Sequence, residues 1–140
     1  MANDTKLEML RGVSLFASMR GKDLEAVERL ADTVDIAAGK EIIRQGDHGN
    51  EMYVIASGSV RVERSGREIA TLGPGQAFGE MSLLSEGPRL ATVTALEPTT
   101  AFVIGHREFH TLLEDSAELR QCIMDNLAKR IRMLDESGTL

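Results

Sequence analysis

Glu80 and Arg89 are the charged residues of this 140-residue sequence whose spacing best suits binding chemistry. They lie nine positions apart within residues 73–93, which read GPGQAFGEMSLLSEGPRLATV. Arginine can donate two parallel charge-assisted hydrogen bonds to a phosphate, and an ionised glutamate can accept one from a sugar hydroxyl. A short helical segment between them would offer unpaired backbone N–H groups to an anion. The spacing therefore predicts a ligand with both a phosphate and a sugar hydroxyl.

Each of these residues also has a purely structural interpretation. Taken alone, Arg89 would be a surface arginine in an ion pair with Glu80 or Glu86, which contributes little stability. Glu80 would compensate the dipole at a helix N-terminus, and Gly79 would be a turn or bulge glycine. For Arg89 in isolation the surface ion pair is the favoured interpretation, whereas the role of Glu80 at a helix N-terminus is compatible with ligand binding.

Residues 78–93 resemble the phosphate-binding cassette of the cyclic-nucleotide-binding domain family. That pattern reads FGE, an apolar and a small residue, then LL, and later PR followed by A/T/S, A, T/S and V. The matching residues here are Phe78, Gly79, Glu80, Leu83, Leu84, Pro88, Arg89, Ala91, Thr92 and Val93. Residues 46–62, GDHGNEMYVIASGSVRV, resemble a second segment of the same family. In that segment we interpret Gly46 and Gly58 as turn glycines.

The resemblance implies a role for each residue of the predicted site. Arg89 would pair with the cyclic phosphate, Glu80 would accept the ribose 2′-hydroxyl, and Gly79 would bring the backbone against the sugar. Backbone N–H groups of Ser82, Leu90 and Ala91 would assist the phosphate. The implied ligand-binding set is Gly79, Glu80, Met81, Ser82, Arg89, Leu90 and Ala91, with a base pocket of Val62, Ile69, Ala70 and Leu134. Leu134 would act as a lid from the last helix, and Met133 and Ile131 are neighbouring candidates for that role.

Leu90 bears on the choice of base. Family members that favour cyclic GMP commonly carry threonine at this position, where its hydroxyl meets the guanine. Leucine offers no such contact, so the resemblance favours cyclic AMP over cyclic GMP. Leucine is also bulkier than the usual residue, which keeps open an alternative in which the fold is a ligand-free scaffold that binds another protein.

Hydrophobic periodicity predicts a mainly β fold with flanking helices. A period of 3.6 predicts helices over about 6–31 and about 106–137, and a period of two predicts about eight strands over about 33–104. Short strands at regular spacing are typical of an antiparallel jelly-roll β-barrel, or double-stranded β-helix, which is also what the resemblance implies. Ser116 is the predicted N-cap of the last helix. The apolar stripe of that helix is Leu119, Ile123, Leu127, Ile131 and Leu134.

Composition narrows the classes of function. With 42% hydrophobic and 27% charged residues, the chain suits one soluble domain over residues 1–140. A net charge of −6 argues against a general nucleic-acid binder. No apolar run is long enough to span a membrane, and no signal peptide precedes the first helix. With the single cysteine Cys122, these features predict a cytoplasmic protein.

An enzyme of the jelly-roll class would need a metal site or a nucleophile. His106 and His110 are spaced for one helix face, but HREFH lacks the glutamate that a zinc-protease helix places after its first histidine. The third histidine, His48, does not complete a ligand set. We find neither a Ser/His/Asp motif nor a Walker lysine, so we expect no catalytic residues, no metal and no cofactor.

The resemblance also implies a mechanism. Ligand binding would move the C-terminal helix, which would then control an effector protein or a homodimer through its apolar stripe. The sequence contains no recognisable helix-turn-helix, kinase or channel segment, so we expect a single-domain sensor without nucleic-acid or membrane partners.

Overall fold

The computed structural model describes residues 2–17, 19, 21–85 and 87–136, without the side chains of residues 2–4, 14, 130 and 133–136. The N-terminal helical segment consists of α1 (Ala2–Arg11), a 3₁₀ turn (Ser14–Phe16) and α2 (Gly21–Leu30). Leu24 and Val27 on α2 are buried, as their spacing predicts. Leu15 and Phe16 are fully buried, which confirms that they anchor the helices to the core.

The strands of the described chain all lie in its middle part, between residues 32 and 105. In order, the strands are β1 (Asp32–Ile36), β2 (Glu41–Ile43), β3 (His48–Gly49), β4 (Glu51–Ser57), β5 (Val60–Arg64), β6 (Arg67–Leu72), β7 (Ala77–Phe78), β8 (Gly87–Pro88), β9 (Thr92–Ala95) and β10 (Thr99–Gly105). The single turn α3 (Met81–Leu84) lies between β7 and β8. After β10 come α4 (His106–Asp115) and α5 (Ala117–Glu136).

Among the described residues, the strands pair into three antiparallel sheets. One has the order β1-β10-β4-β7, the second β2-β9-β5-β6, and the third is the short β3-β8 ladder. The mainly β fold with flanking helices is therefore confirmed. The predicted antiparallel eight-stranded jelly-roll β-barrel is not confirmed, because the hydrogen-bonded ladders end at the boundaries between these sheets and do not close into a barrel.

Strand β4 lies at the centre of the fold because it buries side chains on both faces. Met52 and Val54 belong to the cluster that the helices cover, and Ile55 packs with the β5–β9 side. Successive side chains of a strand point to opposite faces, so alternation in β4 joins the helical layer to the core between the two four-stranded sheets.

The C-terminal helices pack on the N-terminal ones. Phe109 of α4 lies 5.9 Å from Phe16 between ring centroids. Asn126 of α5 is buried and donates a hydrogen bond to the Leu15 carbonyl at 2.9 Å. The backbone N–H of Leu119 donates to Ser116 Oγ at 3.1 Å, which confirms Ser116 as the N-cap. Within the described residues, none of the helices combines the length and apolar character that crossing a bilayer requires.

Candidate functional site

Arg89 follows β8 in a loop whose backbone is fixed on both sides. Its N–H donates to the Asp47 carbonyl at 2.7 Å, and its own carbonyl accepts from the Gly46 N–H at 2.9 Å. The residue is only 8% exposed. The β2–β3 turn therefore determines where the arginine side chain begins.

The Arg89 guanidinium is held by neutral oxygen atoms. Its Nη1 donates to the Glu51 carbonyl and to Ser82 Oγ, each at 2.9 Å. Burial lowers the pKa of Arg89, and the nearby Tyr53 and Glu51 act in the opposite direction. In the described part of the chain, no carboxylate lies within ion-pair distance of this guanidinium. A buried cation without a bonded anion is costly, so the site favours an anionic ligand.

Two glycines leave the space that the arginine fills. A Cβ at Gly49 would lie 2.0 Å from Arg89 Nε, and a Cβ at Gly79 would lie 2.8 Å from Arg89 Nη1. Gly79 also has φ +78°, a conformation that other residues adopt only at a cost. Gly79 is therefore required both by its backbone conformation and by the close approach of the guanidinium.

One of the backbone N–H groups predicted to bind the phosphate is instead hydrogen-bonded within the turn that follows Gly79. The Ser82 N–H donates to the Gly79 carbonyl at 3.0 Å as α3 begins. Contrary to the prediction, this N–H is therefore not free to bind a ligand. By contrast, the N–H groups of Leu90 and Ala91 donate to no other described residue. These two amides remain available to an anion beside Arg89.

A cavity of about 320 Å³ opens beside Arg89. Side chains from the sheet, from α3 and from the loop that carries Arg89 surround it. The lining residues are Ile43, Val62, Arg64, Ala70, Leu72, Ala77, Phe78, Gly79, Glu80, Met81, Ser82, Pro88, Arg89, Leu90, Ala91 and Val93. The structure thus brings an apolar wall, a carboxylate and a guanidinium into one hollow.

Comparisons with known proteins agree with this geometry. Residues 33–116, more than half of the chain, match the family described as cyclic nucleotide-binding domain. The chain belongs to the cyclic-nucleotide-binding domain family.

Several relatives are named for cyclic AMP. The chain is 33% identical to a cAMP-dependent protein kinase regulatory subunit from Yarrowia lipolytica, over 73% of this chain and 27% of that protein. It is also 33% identical to the cyclic AMP receptor protein of Thermus thermophilus, over 90% of this chain and 61% of that protein. The chain therefore spans less than two thirds of the length of these curated relatives.

Solved structures show the same fold. The N-terminal domain of a Streptomyces coelicolor transcriptional regulator superposes with a TM-score of 0.85 at 31% identity, over 91% of this chain and 95% of that one. The regulatory domain of Toxoplasma gondii PKA, crystallised with cAMP, gives a TM-score of 0.76 at 32% identity, over 96% of this chain and 53% of that one.

Most of the predicted site residues of this cyclic-nucleotide-binding domain line the cavity. Met81 and Leu90 lie at its rim, since 56% and 67% of their surfaces are exposed. Ile69 does not line it and is 47% exposed. The register explains this, because Val62 pairs with Ala70 and Glu63 with Glu68, which leaves Ile69 as the extra residue of a β-bulge.

Leu134 is the predicted lid residue on α5. The side chain of Leu134 lies outside the described residues. The described α5 side chains do not line the cavity, and the first half of α5 instead packs on the 3₁₀ turn through Leu119, Ile123 and Asn126.

Arg64 is a cavity residue that the sequence analysis missed. Its Nε donates to the Leu90 carbonyl at 3.2 Å, next to the two available amides. Among the described residues, no carboxylate is paired with it. Alternation along β5 places Arg64 on the same face as Val60 and Val62. Since Val62 was already predicted to line the pocket, this alternation could have identified Arg64 from the sequence.

Proposed function

We propose that this chain is a cyclic-nucleotide sensor that binds cyclic AMP in the cavity beside Arg89. The observation that carries the proposal is a buried guanidinium without a carboxylate partner among the described residues, next to two available backbone amides. The ligand phosphate would bond Arg89, Leu90 N–H and Ala91 N–H, and Glu80 would accept the ribose hydroxyl.

Cyclic AMP is the proposed ligand rather than cyclic GMP. Leu90 at the cavity rim offers no hydroxyl to the amino group of guanine, and the wall of Val62, Ala70 and Leu72 is apolar. An apolar wall accepts either purine, so the preference rests on the missing polar contact.

The proposed output is a movement of the C-terminal helices. Leu83 is fully buried and lies in the same cluster as Phe109 of α4 and Leu119 of α5. A ligand that draws the cassette inward would shift Leu83 and thereby the helices that pack on it. Met124 and Ile131 are largely exposed on α5, and they would contact an effector protein or a second copy of the chain.

Isothermal titration calorimetry with cyclic AMP tests this function. Arg89→Met should weaken binding at least about 30-fold, since loss of a buried charged partner costs about 2–5 kcal/mol. Arg67→Met is the matched control, because Arg67 is an exposed arginine outside the cavity lining. Equal affinity of wild type and Arg89→Met would exclude the proposed site.

A ligand-free scaffold is the second candidate, and one observation favours it. Arg89 Nη1 already has two protein acceptors, the Glu51 carbonyl and Ser82 Oγ, so part of its hydrogen-bonding capacity is met without a ligand. A thermal-shift experiment distinguishes the two functions. A nucleotide at about 100 times its Kd adds roughly 2.7 kcal/mol of stability, whereas a scaffold shows no shift with either cyclic AMP or cyclic GMP.

A further inference from the structure

A closed ring of polar contacts joins Arg89 to the first residue of α4. Arg89 Nη1 donates to Ser82 Oγ at 2.9 Å, and the Ser82 carbonyl lies 2.8 Å from His106 Nδ1. The His106 backbone N–H donates to the Asn50 carbonyl at 2.7 Å. Asn50 is bonded to Glu51, whose carbonyl accepts from Arg89 Nη1 at 2.9 Å, and this contact closes the ring.

The contact between His106 and Ser82 indicates that the Nδ1 atom of the imidazole is the hydrogen-bond donor. A carbonyl oxygen can only accept, so His106 Nδ1 must carry the proton that it shares with Ser82. His106 is therefore a donor on the same residue whose hydroxyl accepts from Arg89. Ser82 is 7% exposed, so both of its contacts lie in a region that water barely reaches.

His106 is also the point where β10 passes into α4. Gly105 at the N-cap position has no side chain with which to cap α4, and the backbone N–H of His106 instead donates to the Asn50 carbonyl. One turn later His110 lies 4.1 Å from His106 between ring centroids. The Nε2 atom of His110 is buried and makes no hydrogen bond within the described residues.

We propose that His106 is a positioning residue of the Arg89 site and that it couples the position of α4 to the position of the guanidinium. A change at Arg89 alters the position of Ser82, whose hydroxyl accepts a hydrogen bond from the guanidinium. Ser82 in turn contacts the start of α4, because its carbonyl accepts from His106 Nδ1. The coupling is reciprocal, so loss of the His106 donor releases Ser82 and loosens Arg89. The ring itself does not depend on the proposed function; only its response to a nucleotide does.

The first experiment uses no ligand. Amide hydrogen exchange of α4 is measured in the wild type, Arg89→Met, His106→Leu and the double variant. If the ring couples the two residues, Arg89→Met speeds exchange of the first turn of α4 at least about threefold, and this effect disappears in the His106→Leu background. In the His106→Asn background, where the amide can donate from nearly the same place as Nδ1, Arg89→Met should again speed the exchange. Equal effects of Arg89→Met in both backgrounds would overturn the proposal.

The second experiment adds cyclic AMP and uses His110 as the control. His106→Leu should weaken cyclic AMP binding about 3- to 10-fold and His106→Asn less than about twofold, because only the former removes a hydrogen bond to the site. His110→Leu, which removes the neighbouring imidazole, should leave the affinity unchanged. Cyclic AMP binding that is equal in His106→Leu and wild type would count against the proposal. If the wild type binds no nucleotide while the exchange coupling is present, the proposed function fails and the His106 inference stands.

Discussion

Gly49 and Arg89 are in such close contact that no side chain fits between them. A Cβ at Gly49 would lie 2.0 Å from Arg89 Nε, 2.4 Å from Cζ and 2.5 Å from Cδ. The β3–β8 ladder, which pairs Gly49 with Gly87, therefore forms one wall of the channel that directs the guanidinium. The glycine contributes to the site by its absence of side-chain atoms rather than by touching a ligand.

Gly49→Ala should displace Arg89 and weaken cyclic AMP binding at least about tenfold, because a methyl group cannot share the space of the guanidinium stem. Gly87→Ala is the control, since it lies opposite in the same ladder and a Cβ there would meet nothing within 4 Å. Isothermal titration calorimetry on both variants measures their affinities for cyclic AMP. Similar affinities for the two would mean that Arg89 can move aside without loss.

The sequence predicted the parts of the site that depend on residue type and local spacing. Gly79, Glu80 and Arg89 line one cavity as their pattern predicts, because a short turn and one loop are enough to bring them together. Residues whose position depends on strand register could not be placed by local spacing, and the resemblance supplied Val62 and Ala70, which line the cavity. Ile69 is carried away from the cavity by a β-bulge, which hydrophobic alternation does not reveal.

Long-range contacts were the other part that sequence patterns did not contain. Asn126 bonds to Leu15, a residue 111 positions earlier, and this contact places α5 on the N-terminal helices. The ring through His106 likewise joins four separate segments. Helical periodicity predicted that α5 has an apolar side, but not which surface would cover it.

Arg64→Met should lower the affinity for cyclic AMP and cyclic GMP equally, by about 3- to 10-fold. Arg64 lines the cavity and bonds to the Leu90 carbonyl, so its charge adds to that of Arg89 at the end where the phosphate would bind. A partly exposed charge is screened by salt, so the loss should shrink as ionic strength rises. Calorimetry at low and high salt measures this, with Arg67→Met as the control. A loss confined to one nucleotide would instead assign Arg64 to the base.

Gly58→Ala should destabilise the fold more than Gly66→Ala. Both glycines have positive φ, +93° and +80°, so both substitutions carry the left-handed backbone cost of about 1–2 kcal/mol. Only at Gly58 would the Cβ also collide, at 2.5 Å from Thr99 Oγ1 and 2.7 Å from the Pro98 carbonyl. Urea unfolding of the two variants gives the difference. Equal losses of stability would show that the β9–β10 turn can move away from the added Cβ without destabilising the fold.

Tyr53 provides an optical probe of the wall behind Arg89. It is the only tyrosine, and the sequence has no tryptophan, so phenolate absorbance reports this residue alone. Burial, followed by the charge of Glu51 and its hydrogen bond from the hydroxyl, raises the pKa of Tyr53 to about 12. The charge of Arg89 lowers it, but less than these effects raise it.

This pKa shift predicts how stability depends on pH. An unfolded tyrosine ionises near pH 10, whereas the folded one keeps its proton until about pH 12. The stabilisation is therefore fully present below about pH 10 and is lost as the pH rises towards 12, by up to about 1.4 kcal/mol per pH unit. Tyr53→Phe should remove this part of the dependence in urea unfolding measured across that range. A native phenol that titrates at the same pH as the urea-unfolded chain would show that the Glu51 side of Arg89 is open to water.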